Sequence, residues 1–197
     1  MHIFSGIHKN RTLQSPKGSL TRPTSGRLRE TLFNICQHYV ADCRFLDLFA
    51  GSGAMGLEAL SRGAKQATFI DNSKESIRCI QENARTIKEE SHTKIIYGDV
   101  FDQLKKFAKE GCQYDIIYAD PPYENLNQTS EGSLFYSESL LKFIDEQLGS
   151  QVPLLAPGGV LFLEEAANVT LENITLSHLK LKNTRRTGRA ALHYYTW

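Results

Sequence analysis

Asp120-Pro121-Pro122-Tyr123 is the segment whose residue types point most directly to chemistry. Neither proline has an N–H, and each disfavours helical backbone at the residue before it, so the segment cannot join a regular hydrogen-bonding ladder. The Asp120 carboxylate and the Pro121 carbonyl are then two neighbouring acceptors, and an exocyclic NH2 group carries two donors. Gripping both hydrogens would aim the nitrogen lone pair at an incoming methyl group instead of letting it spread into a base. In-line displacement would then proceed mainly through positioning, an effect on the order of 7–11 kcal/mol in favourable systems. No strong general base is required, because the proton becomes acidic only after transfer. Tyr123 offers a flat face on which a base can stack, worth about 1–3 kcal/mol. A target inside a helix would have to be extruded, whereas one in an RNA loop is already partly exposed. Asp120, Pro121 and Tyr123 are therefore the candidate catalytic residues. The competing reading is a Pro-Pro turn with a helix-capping Asp.

A second motif lies upstream. Ala50-Gly51-Ser52-Gly53-Ala54-Met55-Gly56 is a GxGxxG loop between a predicted strand and a predicted helix, where glycines let the backbone turn tightly and approach a ligand. Asp71, twenty positions after Gly51, ends the next strand, where a carboxylate can hold ribose hydroxyls. A nicotinamide cofactor fits these features too. Asp47 argues for a methyl donor instead, because a carboxylate just before the turn would repel a pyrophosphate but attract the ammonium and sulfonium of S-adenosylmethionine. Asp99, after the third strand, is placed to meet an adenine amino group, with the Val100 amide near a ring nitrogen; for Asp99 alone, helix N-capping explains as much. The candidate cofactor residues are Asp47, Phe49, Gly51, Gly53, Asp71, Asn72, Asp99, Val100 and Asp120.

These motifs need strands that end beside one another. Apolar runs at residues 44–49, 67–70, 94–97, 114–119 and 160–163 read as strands, and amphipathic runs at 55–62, 74–88, 101–109 and 136–148 as helices. Such alternation predicts an α/β fold with a mostly parallel sheet covered on both faces, and places the tetrapeptide at the carboxyl end of the fourth strand. Thr24 or Ser25 opens a preceding helix on which Leu28, Leu32, Phe33, Ile35 and Cys36 share a face. Runs at 174–181 and 190–197, joined by a basic turn around Arg185-Arg186-Thr187-Gly188, predict an antiparallel hairpin that completes a seven-stranded sheet. Residues 1–5 and 11–14 read as a short β-hairpin, an appendage over residues 1–20 on a domain spanning 21–197.

With 197 residues and 41 % apolar content the chain can fill one core. No run approaches the roughly 20 apolar residues of a membrane span and the start lacks a signal-peptide core, which predicts a cytoplasmic protein without membrane contact. Cys36, Cys43, Cys79 and Cys112 show neither CxxC pairing nor nearby histidines at ligand spacing, so buried thiols rather than a metal site or disulfides are expected. The net charge of +1 hides two basic ends. Residues 1–36 carry Lys9, Arg11, Lys17, Arg22, Arg27 and Arg29 against Glu30 alone, and the last 25 residues carry Lys180, Lys182, Arg185, Arg186 and Arg189 with no acid. Such ends can offer a phosphate-binding surface, or be solvated faces.

The combination resembles the RsmD-type bacterial methyltransferases over nearly the whole chain. It rests on the N-terminal hairpin, Arg22-Pro23-Thr24 with Arg27-Leu28-Arg29-Glu30-Thr31-Leu32-Phe33-Asn34, Asp47 to Gly53 continued by Gly56-Leu57-Glu58-Ala59-Leu60-Ser61-Arg62-Gly63, Asn83, Asp120 to Tyr123 and the closing basic hairpin. The resemblance implies a Rossmann-like class I fold, S-adenosylmethionine as cofactor, and methylation of guanine N2 in 16S rRNA. It implies as partner the 30S subunit or an assembly intermediate, with the protein a monomer. Arg11, Arg22, Arg27 and Arg29 become candidate RNA contacts beside Tyr123, with pairing to Glu30 or a core acid as the alternative for Arg29. Two departures stand out: Asp71 and Ser73 replace a common Glu and Asp, so ribose contacts would run through a shorter side chain or water, and the polar stretch 124–136 is longer than usual. The tetrapeptide alone also suits N6-adenine methylation of DNA or RNA, although no separate target-recognition domain is evident. An oxidoreductase and an RNA-holding assembly factor are the readings from other classes.

Overall fold

Short apolar runs become the central strands, and a longer run and a basic one join them at the sheet's other side. In the computed structural model, which describes residues 1–16, 26–122, 136–169, 171 and 174–197, these are β1 (Arg44–Leu48), β2 (Gln66–Asp71), β3 (Thr93–Tyr97), β4 (Tyr114–Ala119), β5 (Leu155–Ala166), β6 (Lys180–Thr187) and β7 (Ala190–Thr196). They form one sheet in the order β3-β2-β1-β4-β5-β7-β6. All pairings from β3 to β5 are parallel, and β7 runs antiparallel between β5 and β6. The central strands β1, β2 and β4 are buried almost end to end, as strands covered on both faces must be. β1 pairs with β2 on one side and β4 on the other, so the strand order reverses between β1 and β4. A crevice therefore opens at their carboxyl ends.

Helices α1 (Gly26–Ile35), α2 (Ala54–Ser61), α3 (Lys74–Ile87), α4 (Val100–Glu110) and α5 (Tyr136–Leu148) cover the sheet. Ser73 caps α3, accepting from Ser76 N at 3.3 Å, and Asp99 caps α4, accepting from Asp102 N at 3.1 Å. One apolar layer joins α1, α2 and α3 to one face, and a second joins α4 and α5 to the other. Cys36 and Cys43 lie buried in the first layer, and burial pushes both thiols up to about 12.

Two expectations are corrected. The N-terminal segment is not an appendage: it forms one bridge, His2 with Thr12, and sends Ile3 and Leu13 into the same layer as Leu28, Phe33 and Phe45. Its polar backbone is satisfied by the core, since the fully buried Glu58 accepts from Phe4 N at 2.8 Å and Ser5 N at 3.0 Å, and from Arg62 Nε at 2.8 Å. The sixth strand is also shifted. It begins at Lys180 because Asp145 takes the amides of Ser177, His178 and Leu179 at 2.7, 2.8 and 2.6 Å, removing them from any ladder. Arg185 and Arg186 sit within β6, and the turn is Gly188-Arg189, with Gly188 at φ 62°, the left-handed backbone that a two-residue hairpin loop demands.

Candidate active site

A cavity of about 260 Å³ lies where β1 to β4 end, with Phe49, Asp71, Asp99 and Asp120 in its wall. β1 brings Asp47 to this wall and is followed by Phe49, whose φ of 61° is a conformation that non-glycine residues adopt rarely. Ala50 N donates to Ile70 O at 3.0 Å, and Gly51 N donates to Asp71 Oδ2 at 2.7 Å, so the loop is tied to the end of β2. Gly51 has φ 56°, and a Cβ added there would meet nothing within 4 Å, so its bare backbone borders open space. Gly53 plays a different part from the expected one. It is absent from the cavity wall, and an added Cβ would press on Ile80 and Phe69 at 3.1–3.3 Å, so it seats the loop on the core.

Asp47 is 1 % exposed. Its Oδ2 accepts from Gly56 N at 3.0 Å, and its Oδ1 has no hydrogen-bond partner among the described residues. Burial pushes the carboxyl well above the usual range; the Gly56 hydrogen bond opposes this and the nearby Asp71 adds to it. A buried acceptor without a donor is costly. In a cavity wall it is satisfied by a ligand that brings a donor, best of all a cationic one.

Asp71 lines the cavity, with Asn72 beside it, but each Asp71 oxygen already accepts once, from Gly51 N and from Ser73 N at 2.8 Å. The short carboxylate thus orders the loop, with one further lone pair on each oxygen. Asp99 caps α4 and also lines the cavity next to Val100. Asp120 is partly buried and lines the cavity together with Pro122; Pro121 is buried and is not part of that wall. Tyr123 and Arg22 lie outside the described residues, as does the stretch from 124 to 135. Arg11 and Arg27 are exposed. Arg29 follows its alternative reading, a core acid, and not the RNA contact: it is 3 % exposed, lies 4.4 Å above the Phe4 ring, donates to His2 O at 2.7 Å and sits 3.9 Å from Glu58, so it locks the N-terminal segment.

Several wall residues escaped the sequence reading. Tyr136, the first residue of α5, lines the cavity and packs edge-on against Phe49 at 6.1 Å and near Phe101 at 5.9 Å. No local signal marks it. Tyr118 lines the cavity and donates to Glu164 Oε2 at 2.6 Å; its position near the end of β4, two residues before Asp120, was the available clue. Met1, Ser15 and Pro16 also line it. Met1 is held by its pairing with Leu13, and Ser15 and Pro16 follow Gln14, which is fixed by the fully buried Asn83: Asn83 accepts from Gln14 N at 2.7 Å and donates to Gln14 O at 3.0 Å and Ser52 O at 2.9 Å. Asn83→Ala removes three hydrogen bonds to backbone groups at once, leaving Gln14 O only the Cys79 thiol at 3.3 Å, and is expected to cost about 2–3 kcal/mol in urea unfolding, with weaker ligand binding in the cavity. A loss below about 0.5 kcal/mol, typical of an indifferent surface site, would contradict the clamp.

A family model described as conserved hypothetical protein 95 matches residues 1–196. The ribosomal RNA small subunit methyltransferase D of Escherichia coli K12 is 31 % identical over 173 residues, which cover 85 % of each chain. The Haemophilus influenzae protein of the same name is 32 % identical over 169 residues, covering 84 % of this chain and 87 % of its own. A solved structure from E. coli, provisionally assigned as a methyltransferase, superposes with a TM-score of 0.78 at 28 % identity, over 99 % of this chain and 96 % of that one.

Proposed function

The chain belongs to the conserved hypothetical protein 95 family, and on that premise we propose that it transfers a methyl group from S-adenosylmethionine to the N2 amine of a guanine in small-subunit ribosomal RNA. The observation that carries the reading is the pairing, within one cavity, of a buried acceptor without a donor among the described residues, Asp47 Oδ1, with Asp120 beyond the switch-point strand. The relatives named for small-subunit ribosomal RNA support the choice of substrate.

The wall fits the methyl donor. Asp47 would hold the ammonium of its amino-acid end, where Gly51 borders open space; Asp71 and Asn72 would meet the ribose hydroxyls; Asp99 and the Val100 amide would meet the adenine edge, with Phe49 and Tyr136 as further wall residues. When bound, this cofactor supplies an electrophilic methyl group on a sulfonium. The chain's own contribution is positional. In this reading Asp120, in the cavity wall, accepts one hydrogen of the target amine, and the adjoining Pro121 carbonyl is the second acceptor although Pro121 itself lies outside that wall; Tyr123 stacks on the base, and Asp120 offsets the positive charge that develops on the nitrogen before its proton leaves to solvent. Arg11, Arg22 and Arg27 are RNA contacts in this reading.

We further infer that the protein works in the cytoplasm as a monomer, on 16S rRNA within the 30S subunit or an assembly intermediate. Among the described residues no helix is long and apolar enough to cross a membrane, which agrees with that setting. Incubation with labelled S-adenosylmethionine and, in parallel, 30S subunits, naked 16S rRNA or duplex DNA tests the reading. Label is expected in the ribosomal RNA; label in DNA alone would refute it and favour an adenine methyltransferase.

A further inference from the structure

We infer that the turn of the β6–β7 hairpin docks the phosphate backbone of the RNA substrate; this rests on the reading above and adds the surface by which that substrate is held. Ala190, which opens β7, pairs with Ala166 at the end of β5 and with Thr187 at the end of β6, and Ala167 N donates to Arg189 O at 2.9 Å. Because β7 runs against β5, its beginning lies at the carboxyl end of the sheet, the end that holds the cavity and Asp120. Ala119, the last residue of β4, pairs with Leu163, and β5 continues from there to Ala166. The turn therefore stands about 10 Å beyond the level of Ala119, and β6 about 14 Å across the sheet from β4.

Arg185, Arg186 and Arg189 gather at this turn, and all three are exposed. None is ion-paired with a described residue. Arg185 pairs in register with Leu192 and Arg186 with Ala191, so their side chains leave opposite faces of the hairpin while Arg189 occupies its tip. The acids at the end of β5 do not offset them at the surface: Glu164 and Glu165 are buried, receiving the Tyr118 hydroxyl at 2.6 Å and the Ser137 hydroxyl at 2.5 Å. Exposed guanidinium forks are suited to paired hydrogen bonds with phosphate oxygens. Three of them beside the crevice that receives the target base fit the strand flanking that base. Basic side chains on an edge strand also discourage edge-to-edge pairing between copies, and the test has to separate the two roles.

The experiment replaces all three arginines in the full chain, once by glutamine and once by glutamate. Both variants are assayed on naked 16S rRNA and on 30S subunits. Glutamate keeps the edge charged, so a guarding role survives, but it repels phosphate. The glutamine triple is expected to flatten the slope of log affinity for 16S rRNA against log salt by about 2, at roughly 0.7–0.9 for each phosphate no longer neutralised. The RNA KM should rise about 10- to 100-fold, and further for the glutamate triple, while kcat, S-adenosylmethionine affinity and the oligomeric state stay as in the wild type. Unchanged RNA affinity and salt slope in both triples would overturn the docking surface, as would wild-type behaviour of the glutamate triple with aggregation of the glutamine one. The two readings fail separately. A wild type that forms N2-methylguanosine with an arginine-independent KM keeps the reaction and loses the docking surface. One that binds 16S rRNA through these arginines without forming that product loses the reaction and keeps the surface.

Discussion

Replacing Asp120 by alanine is expected to lower kcat about 100- to 1,000-fold, the scale observed when one preorganised hydrogen-bonding group is removed from a transition-state site. Folding should be unaffected, because Asp120 stands in a cavity wall past the end of β4 and not inside the apolar layers. Cofactor affinity should change less than about tenfold, so that the loss falls on the chemical step. Asp120→Asn keeps an oxygen acceptor and loses the charge that offsets the developing ammonium; its rate should fall between alanine and wild type. Single-turnover kinetics with saturating cofactor would check both. Wild-type rates in both variants would remove Asp120 from the reaction and leave the tetrapeptide as a turn.

The second large effect concerns Asp47. Asp47→Asn can still accept from Gly56 N, but it turns an amide donor or a neutral oxygen toward the cavity in place of a carboxylate. Loss of a hydrogen bond to a charged group, worth about 1.5–3 kcal/mol, should weaken S-adenosylmethionine binding about 10- to 100-fold. The pH dependence has a definite sign. Burial raises this carboxyl well above its ordinary 3.8 in the empty protein, against the Gly56 hydrogen bond and with Asp71 adding to the rise, so the folded chain holds a proton that the unfolded chain has released. Stability of the empty protein therefore falls as pH rises from 3.8 through the raised value, and the asparagine variant lacks that decline. A cationic ligand favours the carboxylate and expels the proton, so cofactor affinity should climb with pH across the same window in the wild type and stay flat in Asp47→Asn. Calorimetry in two buffers of different ionisation enthalpy reads the proton release directly. Equal affinities and equal pH profiles would contradict the assignment.

What the sequence made legible follows the range of the interactions involved. The glycine loop, Asp71 and Asp120 could be located because each depends on strand ends a few residues away, and the alternation of apolar and amphipathic runs sets where parallel strands stop. Tyr136 could not be located, since it reaches the cavity only through the packing of α5 beside Phe49 and Phe101. The N-terminal segment was misjudged for a related reason. Its short polar-looking stretch is pinned by the buried side chains of Glu58, Asn83 and Arg29, partners between 27 and 69 positions away along the chain. Arg29 shows the limit of charge counting, which left an RNA contact and a core acid both open; the buried Glu58 decides for the core. The shift of β6 has the same origin, in a carboxylate on α5 that captures three amides. At an edge strand exposed on both sides, basic residues are tolerated within the ladder, so they do not mark a turn.

The central claim, methyl transfer to a guanine amine in small-subunit RNA, is tested most directly by the identity of the product. Ribosomal RNA treated with the purified protein and S-adenosylmethionine, digested to nucleosides and resolved by mass spectrometry against authentic standards, should gain N2-methylguanosine, and this gain should vanish with Asp120→Ala. N6-methyladenosine in its place, or no methylated nucleoside from either 30S subunits or naked 16S rRNA, would contradict the account.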